Sequence, residues 1–191
     1  MGNHGAFHSA GGFQFDPSTG GVNTLTYAHH EVHRGKFFVI HHTGSALNDG
    51  DKINVYMKTP ATKEIHVLPQ LTGSGAAYFR VREAPTVTAN TGTNGQAIYN
   101  SFRGSIIAST VLDNATTPAA NKYGINVTIT GDGTVIMQQY NGVAKFSGAE
   151  VRGTDELILA ASTAYVFEAE SDASGLVLNM VLSWYEHTSR V

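Results

Sequence analysis

The chain contains no cysteine. Disulfide staples and thiol chemistry are thereby excluded, and the fold must hold by packing and hydrogen bonding. Charge is also scarce. Asp, Glu, Lys and Arg make up 14% of the 191 residues, with a formal net charge of −3 when histidine is neutral. No cluster of Lys and Arg occurs, which argues against nucleic acid as a partner, because such binding is driven by phosphate neutralisation. Long apolar runs are missing too; the longest are of strand length, so no membrane-spanning helix and no membrane partner are expected. Met1 to Phe7 lack the basic and apolar regions of a secretion signal. Ala6 and Phe7 stand where a myristoylation signal would call for Ser or Thr.

The usual catalytic signatures are likewise absent. No serine sits in a Gly-x-Ser-x-Gly elbow, and there is no phosphate loop or dinucleotide fingerprint. No segment keeps a capped 3.6-residue apolar period. Asp49, Asp51, Asp132, Asp155 and Glu156 read as turn and strand-end acids. No cofactor is implied, and the chain is not expected to be an enzyme.

What is present is a β pattern. With 41% hydrophobic residues and this length, one domain can bury its own core. Ile53, Val55 and Met57 alternate with polar or amphipathic neighbours. Phe37 to Ile40, Ile65 to Leu68, Tyr78 to Arg82, Ser105 to Leu112, Asp155 to Ala160, Tyr165 to Ala169 and Leu176 to Glu186 also read as strands. Asn48-Asp49-Gly50-Asp51 reads as a turn. Gly131-Asp132-Gly133-Thr134 reads as a tight hairpin turn joining Ile125–Ile129 to Val135–Tyr140. Glu83 to Asn100 is a long polar connection. The sum is about nine or ten strands, which predicts an all-β, jelly-roll-like β-sandwich over residues 24–191. Periodicity does not set the pairing order, so a closed barrel fits the same pattern. In the last strand Leu178, Met180, Leu182 and Trp184 share one face. That face is expected to be core, with sugar binding by Trp184 the alternative.

Residues 1–23 differ from the rest. Glycines are interleaved with Phe7, Phe13 and Phe15, a pattern of backbone freedom with sparse aromatic anchors. It reads as an extended N-terminal arm that could reach on the order of 70 Å and bind a partner through those aromatics. A tail folded against its own domain is the alternative.

The histidines form the one chemically suggestive group. On a strand, His29, Glu31 and His33 would share a face, with His41 and His42 close behind. Such a set could ligate a divalent metal, as in a cupin-type protein, or build charge on mild acidification. The plainer reading is that these are polar positions at a strand end or a subunit contact, satisfied by hydrogen bonds. The helical zinc-protease spacing is absent, since His30 and His33 lie one residue too close.

One succession of motifs goes further. It runs His30-Glu31-x-His33-x-Gly35, Leu47-x-x-Gly50-Asp51 with Thr59-Pro60, Glu83-x-Pro85-Thr86 with Tyr99-Asn100-x-x-Arg103, and Asp155 to Leu159 with Thr163-x-Tyr165. It ends in Trp184-Tyr185-Glu186-His187. This order resembles a group of small tailed-bacteriophage virion structural proteins. The resemblance implies a capsid decoration or cement role at the head surface. It also implies β-sandwich subunits in a small symmetric oligomer, and contacts with the major capsid protein or other virion proteins. A trimer would present three arms at once. A tail or fibre module that binds a receptor or glycan is the alternative, which exposed aromatics such as Tyr99 and Phe102 would favour.

Overall fold

The computed structural model describes residues 14–15, 22–23, 27–142 and 156–188. Gln14–Phe15 (β1) and Val22–Asn23 (β2) pair antiparallel, and Tyr27–His33 forms a short helix (α1). Then follow Phe37–Leu47 (β3), Lys52–Lys58 (β4), Glu64–Gly73 (β5), Ala77–Glu83 (β6), Thr86–Val87 (β7), Thr93–Ala97 (β8) and Tyr99–Asn100 (β9). The rest are Lys122–Ile125 (β10), Ile129–Gly131 (β11), Thr134–Asn141 (β12), Leu157–Leu159 (β13), Ala164–Ser171 (β14) and Leu176–His187 (β15).

Two large antiparallel sheets make a β-sandwich. One has the order β12-β6-β14-β4-β10-β8; the other has the order β13-β5-β15-β3-β9. The chain changes sheet at each step from β3 to β6, and again from β12 to β15. Period-2 alternation therefore sends one face of each strand into the common core. Ile53, Val55 and Met57 of β4 meet Phe79 and Val81 of β6 and Phe167 of β14 there. The opposite sheet supplies Phe38 and Ile40 of β3, Ile65 and Val67 of β5, and Leu178, Met180, Leu182 and Trp184 of β15. The expected core face of the last strand is thus in place. Trp184 is fully buried with its ring centroid 5.9 Å from that of Phe38, which leaves it no face for a sugar.

Asn48 to Asp51 does form a turn. The Asn48 amide donates to Asp51 Oδ2 across 2.7 Å and Asp51 N donates to Asn48 O across 3.0 Å, carrying the chain from one sheet to the other.

A second, smaller apolar cluster lies outside this core. Tyr56 and Val166 project from the outer face of β4 and β14, and Val127 covers them. Asn54 holds the cover in place. Its Nδ2 donates to Val127 O across 3.1 Å, and its Oδ1 accepts from Val127 N across 2.9 Å. One side-chain amide thus satisfies both backbone polar groups of a buried residue.

Three sequence expectations fail here. The Asp132-Gly133 turn does not close a hairpin: β11 pairs with β7, while β12 pairs with β6. Gly133, at φ 63°, is required because a Cβ would stand 2.3 Å from Glu83 O where the chain crosses. Ser105 to Leu112 is not a strand. Only Leu112 bridges, to Lys58 and Ala120. The polar connection after Glu83 carries the short strands β7, β8 and β9 instead of remaining irregular.

Candidate functional site

The histidine group read from the sequence does not form one site. His29, Glu31 and His33 lie on α1, not on a strand. The helix ends in a Schellman arrangement: Lys36 N donates to Glu31 O and Gly35 N donates to Val32 O, both at 2.9 Å. Gly35 takes φ 68° to close it. On a helix, positions two apart point away from each other. His29 and His33 therefore meet on the exposed side with Nε2 atoms 3.0 Å apart. Glu31 turns inward, fully buried, 3.1 Å from Arg34 Nη1 and 3.4 Å from His30 Nδ1. His41 and His42 take opposite faces of β3, and His42 is held 2.9 Å from Asn126 Oδ1. The five residues cannot share one ion. The signal for the helix was Gly35, a residue that stops helices as readily as it makes turns.

The aromatics assigned to the arm fall mostly outside view. Phe7 and Phe13 lie outside the described residues. Phe15 lies on β1, opposite Val22 in the β1–β2 pair.

Exposed apolar groups gather on β9 and the segment that follows it, with Ile158 of β13, 64% exposed, standing elsewhere. Ile106 is fully exposed, and Tyr99 and Phe102 are each 48% exposed. Arg103 stands over the Tyr99 ring, 5.6 Å from its centroid. A cavity of about 270 Å³ opens beside them, floored by Phe38 and Ile98. This segment is held firmly from beneath. Glu186, buried at the end of β15, accepts hydrogen bonds from the hydroxyls of Ser109 and Thr110, both at 2.6 Å, and from Thr110 N. Trp184 Nε1 donates to the same carboxylate across 3.2 Å. Asn100 Nδ2 donates to Gly35 O and Ile107 O, fastening the near end. Further apolar groups, Val135, Ile136 and Tyr140, are exposed on β12, which is an edge strand among the described residues.

On the outer face of the six-stranded sheet, tertiary structure brings together cations that are apart in sequence. Lys52, Arg80 and Arg82 all approach Glu168, at 3.6, 3.2 and 3.1 Å. Glu170 adds a second carboxylate and Asp132, 3.0 Å from Arg82 Nη1, a third, so the group is internally compensated.

The other face of the molecule carries a set that the sequence reading missed. Glu64 and His66 lie two apart on β5, and His187 stands opposite Glu64 on β15. The Nε2 atoms of His66 and His187 are 2.7 Å apart. Glu64 Oε2 lies 3.5 Å from His187 Nε2 and 4.0 Å from His66 Nε2. Tyr185 stacks on His66 with centroids 4.6 Å apart, and Glu156, just before β13, hydrogen-bonds both His66 Nδ1 and the Tyr185 hydroxyl. Among the described residues this is the one group of three or more His, Asp or Glu whose ligand atoms converge. Its spacing in sequence, 64, 66, 156 and 187, carries no motif; only strand register assembles it.

No family model, curated protein or solved structure matches this chain.

Proposed function

We propose that the chain is a virion structural protein of tailed-phage type, most simply a capsid decoration or cement subunit, acting by contact with copies of itself and with the shell. The observation that carries this reading is the rigidly anchored segment 99–111. A loop tied down by a buried carboxylate, yet holding Ile106, Phe102 and Tyr99 in solvent, has the form of a contact surface. A mobile loop would lose entropy on docking; this one has already lost it.

The fold supports the same reading at a finer level. Without β8, β9 and β10, the sheets run β13-β5-β15-β3 and β12-β6-β14-β4. Eight strands that alternate in this way support a jelly-roll reading, an architecture used by capsid proteins, lectins and cupins. Low overall charge and the order of the sequence motifs point the same way. A trimer is the preferred assembly, with residues 1–23 as an arm that reaches the neighbour or the shell.

The test is sedimentation of the full chain at micromolar concentration, alone and with phage heads lacking it. The reading expects an oligomer that co-sediments with heads. It also expects the paired substitution Phe102→Ser, Ile106→Ser to weaken assembly while the circular dichroism spectrum is retained. A folded monomer indifferent to heads overturns it. A second reading, a tail or fibre module for a receptor or glycan, is favoured by the half-exposed Tyr99 and Phe102 beside a cavity. Glycan-array binding that is lost on Tyr99→Ala would select it.

A further inference from the structure

We infer that Glu64, His66 and His187 form a site for a single divalent transition-metal ion of the zinc class. The inference goes beyond the structural role above and stands apart from it.

The hydrogen-bond partners set the tautomers. A carboxylate only accepts hydrogen bonds, so His66 must place its proton on Nδ1, facing Glu156. A backbone carbonyl also only accepts. His187 Nδ1 lies 3.0 Å from Thr188 O and must therefore carry its proton there. Both neutral rings then direct an unprotonated Nε2 at the same point. These two atoms stand 2.7 Å apart, lone pair toward lone pair, with the Glu64 carboxylate closing the third side. Such an arrangement is repulsive unless a metal ion or a shared proton occupies the point where the pairs converge.

The geometry suits a metal. Neighbouring ligand atoms on a tetrahedral ion with bonds of about 2.0–2.2 Å are separated by about 3.3–3.6 Å. The three separations here, 2.7, 3.5 and 4.0 Å, bracket that value. Two imidazoles and a carboxylate are a donor set for zinc or a related borderline ion, whereas magnesium and calcium prefer oxygen ligands alone. The surrounding groups match as well. Metal-bound histidines characteristically donate their other N–H to a carboxylate or carbonyl, which sets the ring and raises its basicity. His66 does so to Glu156 and His187 to Thr188. Tyr185 hydrogen-bonds Glu156 and stacks on His66, so it orients the carboxylate that orients the ligand. Three protein ligands leave at least one coordination position for water or an outside donor. A depression of about 520 Å³ lined in part by Glu64 and Thr188 lies beside the site.

The experiment uses the full chain, stripped with a chelator and titrated calorimetrically with zinc sulfate at neutral pH. Cobalt(II) absorption and histidine ring ¹⁵N spectra serve as parallel readouts. One zinc per chain is expected, with the ¹⁵N change at Nε2 and the Nδ1 protons kept. His66→Ala and His187→Ala should each abolish stoichiometric binding, and Glu156→Gln should weaken it about 10–100-fold. Paired His29→Ala, His33→Ala should leave it unchanged. If a variant fails to fold, the ring spectra of the unaltered protein decide. Absence of zinc binding with a proton found on one Nε2 overturns the assignment, as does binding that survives loss of both ligand histidines.

Discussion

Ser109 and Glu186 lie 77 positions apart, yet the serine hydroxyl donates to the Glu186 carboxylate across 2.6 Å inside the protein. The contact joins the irregular segment after β9 to the end of β15. A buried carboxylate is costly unless its lone pairs are met. Here donors from Ser109, Thr110 and Trp184 meet them, and the segment is shaped by that demand.

Substituting Glu186 should therefore have a large effect. Glu186→Ala leaves buried donors unmatched, and a loss of about 3 kcal/mol or more is expected. Urea unfolding measures the loss. Limited proteolysis should show new cleavage between residues 101 and 111.

Asn54 should prove as important despite its small size. Asn54→Ala removes the partner of both the Val127 N–H and the Val127 C=O and is expected to cost about 1–3 kcal/mol. Faster amide exchange at Val127, with little change at core positions such as Phe167, would show that the cover opens locally.

Gly35 is constrained twice. Its φ is 68°, and a Cβ there would stand 2.3 Å from Ser105 Oγ. Gly35→Ala should cost about 1–2 kcal/mol from backbone conformation alone, with the crowding in addition. Thermal unfolding should fall by about 2–4 °C for each kcal/mol lost.

The Arg80–Glu170 pair gives a pH dependence. Desolvation pushes the Glu170 carboxyl up. The hydrogen bond from Arg80 and the charges of Lys52 and Arg80 together outweigh that, and its pKa lies below the ordinary value. A depressed carboxylate stabilises the fold fully above the unfolded pKa of about 4.3. That contribution is lost as pH falls through the lower folded value. Midpoints of thermal unfolding should thus decline below about pH 4, and Glu170→Gln should make the decline shallower.

The strands of the core were legible because burial imposes a period of two. Ile53, Val55 and Met57, or Leu178 to Trp184, show that period openly. The helix at Tyr27–His33 was not, since seven residues are too few to display an apolar period and its histidines read equally well as a strand face. Asp132-Gly133 marked the break between β11 and β12, but not the partners of those strands. Local residues set the chain's bend, whereas the choice of β6 over β11 as neighbour depends on strands far away in sequence.

Composition and alternation thus determined by themselves that this chain would be β, would bury one face of each long strand, and would do so without disulfides. Tertiary structure alone decided which strands became neighbours. With that came the burial of Glu186 beneath an exposed loop and the meeting of His66 with His187. Side-chain period is a local property enforced by water at every residue, while register is a long-range property enforced only when the sheets close.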